Sequence, residues 1–347
     1  MRIPIVSFAV FALCFGLPGF TQARSLPSNQ PKNFLLVLSE YEFFNVQYSA
    51  KDKNIIQIGE EDFTNSSGTE NWYHDMTFNC ENNSIYLLKS VMFSNLHAER
   101  HTLDVINFDE NNKLKTVTHV KDIFDHARSI AFDWTTEKIY WTVFSNRQFS
   151  MKVIDKSFKK SEYIIQPFTP KSSQSNYKLL VYPKRDELFF SIETDLWYTS
   201  NSPNSSASLL FKEKEYLHVF DFAIDYATDK LYIIESFGGN YILKWIDIGT
   251  SARPLHANDL NEIEIIPYST FNLEAFNNEI YWTSIKHGDV KLYFKNNNET
   301  AVEVTDVSVN SESSFVSSIC PSSTAEKKDG KNYEFKEDHE NEIELFR

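Results

Sequence analysis

The chain has 347 residues, 41% of them hydrophobic and 15% aromatic, with a formal charge of −14. That is enough apolar material for a large core, and the acidic balance argues against nucleic acid and anionic membrane surfaces as partners. Twenty-nine Phe and 17 Tyr, with few helical patterns, point to an all-β fold.

In chain order, Met1-Arg2, an apolar run from Ile3 to about Leu17 and the small-residue ending Thr21-Gln22-Ala23 read as a signal peptide over 1–23. The run is too short to span a bilayer, which takes roughly 20 residues. A secreted, extracellular product without a membrane anchor is expected. Of the three cysteines, Cys14 leaves with the signal, so Cys80 and Cys320 remain in an oxidising compartment. Four N-x-S/T triplets, at Asn65, Asn82, Asn204 and Asn298, lie in polar stretches suited to N-glycosylation.

A repeated unit then organises the chain. Each copy is an apolar pair, a polar or acidic residue, a short turn, and an aliphatic-aromatic pair opening a second apolar run. Met76-Thr77-Phe78-Asn79 pairs with Ile85-Tyr86, and Ile130-Ala131-Phe132-Asp133 with Ile139-Tyr140-Trp141-Thr142. Leu179 to Tyr182 pairs with Leu188-Phe189, and Phe222 to Asp225 with Leu231-Tyr232. The last copy pairs Phe271-Asn272-Leu273-Glu274 with Ile280-Tyr281-Trp282-Thr283. The aromatic recurs at 86, 140, 189, 232 and 281, a blade-sized spacing of 43 to 54 residues. Further strand-like runs occur within the period, for example Phe149 to Ile154 and Glu162 to Ile165, or Tyr241 to Ile246 and a weaker run near Leu255. Four antiparallel strands per unit make a propeller blade. The end fragments, 33–38, 43–48 and 55–58 with 315–320, complete one more blade. The expected fold is therefore a six-bladed β-propeller over 24–320, closed by pairing the C-terminal inner strand with N-terminal strands, and followed by an acidic disordered tail over 321–347.

Tyr140-Trp141-Thr142 and Tyr281-Trp282-Thr283, each seven residues after an acid, resemble the YWTD motif of low-density-lipoprotein-receptor class B repeats. The resemblance covers roughly 33–320 and implies a six-bladed propeller that binds extracellular proteins. The motif's last residue, an Asp in that family, is Val143, Ser284, Ile192 or Lys89 here, with Glu235 the one acid at that place. No cysteine-rich module comes after it, so the chain is similar to such a propeller standing alone. In a closed ring Cys80 and Cys320 fall at matching ends of neighbouring inner strands, and a Cys80–Cys320 disulfide is expected.

Residues entering each inner strand should line one rim of the channel: Trp72, Tyr73, His74, His126, Arg128, Tyr177, His218 and Tyr268. They are types that anchor interfaces. The same residues could pack between blades. His74, His126 and His218 raise a zinc reading, but they come from three separate blades, and no metal is expected. Asn79, Asp133, Asp225 and Glu274 recur at one place in four blades. They could serve as calcium ligands in a lactonase-type propeller enzyme, but their place beside turns favours satisfying backbone groups. No nucleophile elbow, phosphate loop or Cys/His pair appears, so neither catalysis nor a cofactor is expected. The expectation is a secreted, monomeric module recognising a protein ligand through one propeller face. Capture of a small cationic ligand in the channel mouth, as in propellers of the yellow or royal-jelly type, is the alternative.

Overall fold

The computed structural model describes residues 35–39, 42–48, 53–60, 69–79, 84–93, 98–108, 114–123, 126–170, 178–212, 217–266, 268–296, 299–304 and 314–317. The chain divides into units 1–32 and 33–347, and every described residue belongs to the second. About three quarters of them are strand, because the sequence alternates β-branched and aromatic runs with short polar turns.

Five blades are each built from one stretch of chain. Blade one comprises β4 (Thr69–Asn79), β5 (Ser84–Phe93), β6 (Ala98–Phe108) and β7 (Leu114–Ile123). Blade two comprises β8 (Ala127–Asp133), β9 (Lys138–Ser145), β10 (Gln148–Asp155) and β11 (Ser161–Phe168). Blade three comprises β12 (Leu179–Tyr182), β13 (Glu187–Ile192), β14 (Asp195–Ser200) and β15 (Ser208–Leu209). Blade four comprises β17 (Val219–Asp225), β18 (Lys230–Phe237), β19 (Asn240–Asp247) and β21 (Asn261–Ile266). Blade five comprises β22 (Ser269–Phe276), β23 (Glu279–Lys286), β24 (Asp289–Asn296) and β25 (Val302–Val304). All their pairings are antiparallel.

The expected six-bladed propeller is corrected: the described residues build five blades, not six. The remaining four-stranded sheet joins β26 (Ser314–Ser317) to β1 (Leu35–Ser39), β2 (Glu42–Tyr48) and β3 (Lys53–Glu60), with Leu36 opposite Val316. It is described as backbone pairing alone. A two-stranded parallel sheet, β16 (Phe211–Lys212) with β20 (Leu255–His256), belongs to no blade. This overturns the reading of the run near Leu255 as the fourth strand of blade four: that strand is β21, whose Glu262-Ile263-Glu264-Ile265 alternates polar and apolar residues.

The blades need two apolar faces, because each packs between neighbours. Tyr140 and Trp141 are adjacent, so they point to opposite faces of β9. Tyr140 joins Phe149, Leu179, Leu188 and Phe190 between blades two and three. Trp141 joins Tyr86, Leu88, Leu103 and Ile130 between blades one and two. The same division places Phe189, Phe222 and Leu231 between blades three and four, and Tyr232, Leu273 and Trp282 between four and five. Each large side chain so buried contributes about 1.5–3 kcal/mol. Tight two-residue hairpins hold the register. Asn146-Arg147 and Asn277-Asn278 carry φ of 52, 63, 49 and 64°, the doubly left-handed geometry that matches strand twist and that Asn tolerates.

Candidate functional site at the channel rim

Register fixes which residues are equivalent. In each blade the key aromatic faces Thr77, Ala131, Leu180, Ala223 or Glu274 on the inner strand. Glu274 is therefore equivalent to Ala131, and the turn-flanking place in blade five is held by Phe276 opposite Glu279. The expectation that Glu274 shares a place with Asn79, Asp133 and Asp225 is corrected. The cause is the hairpin: its turn has two residues, Asn277-Asn278, where blade two has four between Asp133 and Lys138, so a seven-residue count back from the aromatic lands two residues deeper in the strand.

The two turn-flanking aspartates satisfy backbone and hydroxyl groups. Asp133 accepts from Thr135 N at 2.8 Å and from the hydroxyls of Thr135 and Thr136 at 2.7 Å. Asp225 accepts from Thr228 Oγ1 at 2.7 Å and, in the next blade, from Asn277 N and Asn278 N at 3.0 and 2.8 Å. Among the described residues no group of three or more His, Cys, Asp or Glu is arranged to hold a metal.

Two places before the residue facing each aromatic stand Asp75, Ser129, Lys178, Asp221 and Asn272. In blades one to four the sequence count stopped one residue short of this ring, and in blade five three short. In blades one, two and four the preceding residues, His74, Arg128 and Phe220, fall at register irregularities that re-aim the next side chain. Asp75 accepts from the Ser129 hydroxyl and from Ile130 N at 3.0 Å. Ser129 Oγ in turn accepts from Leu179 N at 3.0 Å. Asp221 accepts from Leu273 N at 2.6 Å. Each bond reaches the same backbone place one blade onward, so the ring stitches blades one to two, two to three and four to five. Lys178 Nζ lies 3.1 Å from Asp221 and donates to the Leu273 carbonyl at 2.6 Å, linking blade three to blade five. Burial pushes the Asp75 carboxyl up to about 6, against the lowering effect of its donors Ser129, Ile130 and Met76 and of the Lys178 charge.

At the other end of the inner strands, Trp134 of blade two meets Tyr226 of blade four edge-on at 4.9 Å, bridging two blades that are not neighbours. Burial, then the Glu274 and Asp133 carboxylates, raises the Tyr226 hydroxyl above its ordinary range. Sequence spacing gives no signal for this contact.

Above the ring lies the expected rim. His74 is half-buried, with Nε2 3.0 Å from Ser90 Oγ, and stacks on His101 at 5.4 Å; His101 meets exposed His126 edge-on at 5.5 Å. The structure thus gathers two predicted histidines through a third that the sequence reading missed, because His101 sits on β6 rather than on an inner strand. His218 is apart from them in blade four, exposed, with Nδ1 3.1 Å from Thr194 Oγ1. Arg128 is half-buried, and half-buried Tyr268 lies 6.2 Å from the His287 ring. Trp72 and Tyr73 fall on β4, but their side chains, like Tyr177, lie outside the described residues. So do Cys80, Cys320, Asn65, Asn82, Asn298, and the segments 1–23 and 321–347. Asn204 is exposed in a turn with φ 58°, its Oδ1 accepting from Gln166 Nε2 at 2.7 Å. Among the described residues no helix is long and apolar enough to cross a membrane.

No family model matches the chain. No curated protein matches it either. Solved structures do. A chain of a nidogen/laminin complex aligns over 83% of this chain and 99% of its own length, at 10% identity and a TM-score of 0.58. TolB of Acinetobacter baumannii aligns over 82% of this chain and 66% of its own length, at 10% identity and 0.56. A puromycin-hydrolyzing peptidase of Mycobacterium tuberculosis aligns over 80% of this chain and 44% of its own length, at 11% identity and 0.50. Binding and catalytic proteins both stand among these, so the likeness shows the fold alone: an all-β propeller of four-stranded antiparallel blades.

Proposed function

We propose that the chain is an exported binding module that recognises a protein ligand through the rim face of its propeller. One observation carries the reading: the polar ring at the channel waist is engaged blade to blade, Asp75 with Ser129 and Ile130, Lys178 with Asp221 and Leu273. The groups turned to a partner are instead those of the rim, exposed His126 and His218 with half-buried Arg128 and Tyr268. Arg and aromatic residues are the ones that anchor protein interfaces. The resemblance to class B repeats, and the fold shared with a nidogen/laminin chain, support a protein partner over a substrate.

The test is a thermal-shift series beside an alanine scan of Trp72, Arg128 and Tyr177. A protein-binding rim predicts that neither calcium nor a quaternary amine raises the melting temperature, and that the scan weakens retention of the natural partner. A melting temperature raised by calcium or the amine, with partner retention untouched by the scan, overturns it.

A further inference from the structure

Blade four carries exposed apolar residues on one flank. Along β18, Leu231 and Ile233 pack into the core shared with blade three, so Glu235 and Phe237, at the same parity, face the same side. Glu235 stands opposite Ile242, and Ile242 opposite Ile265, so a row crosses three strands on that side. Phe237 is 63% exposed and Ile265 56%, the two most exposed of the large hydrophobics described. Ile242 between them is half-buried.

The exposure originates in blade three. Its outer strand, β15, has two residues, against ten in β7, eight in β11 and six in β21. The chain then leaves to pair β16 with β20, and among the described residues the outer part of blade four has no full strand facing it. Beside Phe237 the hairpin turns through Gly238-Gly239, at φ 60 and 85°, where an added Cβ would meet nothing within 4 Å. The backbone there is open to an approaching chain.

Among the described residues, the charges that register brings to this flank are mostly acidic. The hairpin Glu193-Thr194-Asp195 of blade three is tied to the start of β17 by Val219 N donating to Thr194 O at 2.8 Å, and Val219 stands opposite Glu235. That places Glu193 and Asp195 next to the row. The flank's lysine, Lys244, is paired with Glu235 and only 12% exposed. The molecule as a whole is at −14.

We propose that the flank formed by Phe237, Ile242 and Ile265 docks a basic segment of another protein that carries an aliphatic or aromatic anchor. The anchor fills the space that a longer outer strand of blade three would take, and the segment's cations face Glu193 and Asp195. A second copy of this chain would bring −14 against −14 and is disfavoured by charge. The inference rests on the reading of the chain as a protein-binding module, and adds a second contact region and the partner's chemistry.

The experiment uses two synthetic peptides, one alternating Arg and Leu and its Glu/Leu counterpart, titrated by fluorescence anisotropy against the full chain. The variants are Phe237→Ser, Ile265→Ser and, in blade two, Arg128→Ala, each checked for an unchanged melting temperature. The expected result is saturable binding of the Arg/Leu peptide, at least about tenfold weaker binding of the Glu/Leu peptide, and a loss of about tenfold in each flank variant. Arg128→Ala should stay within about twofold, as an energetically remote site does. Equal affinity for both peptides, or flank variants that bind like the parent, overturns the proposal. Loss in Arg128→Ala with retention in Phe237→Ser overturns the flank while leaving the rim reading in place. Sedimentation showing self-association that Phe237→Ser abolishes assigns the flank to a second copy and also overturns it.

Discussion

At the residue scale, the ring beneath the rim is where chemistry and stability meet. Asp75 takes a raised folded value of about 6, from a usual 3.8, because burial outweighs its hydrogen bonds. Linkage sets the sign. Between those two values the folded state holds a proton that the unfolded state has lost, so this residue's contribution falls as pH rises through about 4 to 6 and is constant above. Asp75→Asn, which keeps an acceptor for Ile130 and carries no charge, should gain in melting temperature relative to the parent as pH rises from 4 to 6.5. A difference that stays flat across that range contradicts the assignment. The ring was not legible in the sequence, since Asp75, Ser129, Lys178, Asp221 and Asn272 span four side-chain types. Only strand register makes them equivalent.

At the scale of elements, the inner hairpins were readable and the outer strands less so. Inner hairpins are buried on both faces, which writes a dense apolar signature such as Ile139 to Val143, bounded by turn residues. Glu274 was misplaced by two residues because the blade-five turn, Asn277-Asn278, is two residues shorter than the blade-two turn between Asp133 and Lys138, and the count assumed equal turns. The fourth strand of blade four was misplaced because Leu255 is buried for another reason, its parallel pairing with Phe211. Asp225 shows how adjacent blades are locked together through a turn. Asp225→Ala leaves the N–H groups of Asn277 and Asn278 without their acceptor, at a cost of about 1–3 kcal/mol for each that stays buried. Denaturant unfolding should show that loss with an unchanged m-value, and a loss under about 0.5 kcal/mol would mean that the turn finds other partners.

At the scale of the whole molecule, the core is a series of slabs between consecutive blades, and the two ends of the described chain meet in one sheet. The pairing of the terminal segments was legible because each held too few strands for a blade, while the count of six drawn from it is what the structure corrects. No partner was legible in the sequence, since the side chains gathered at one rim, such as His74, His101 and His126, are set by register rather than by spacing. Cys80 directly follows β4 and Cys320 lies three residues beyond β26, and these two strands lie against each other. Non-reducing mass mapping is expected to recover one peptide pair joined through Cys80 and Cys320, and recovery of both as alkylatable thiols would contradict the bridge. The proposed recognition role is tested most directly by affinity capture from native extracellular fluid, comparing the parent chain with a His126→Ala, Arg128→Ala, His218→Ala variant of equal melting temperature. The rim reading predicts a protein retained by the parent and lost by the variant. The same proteins retained by both, in equal amount, would contradict it.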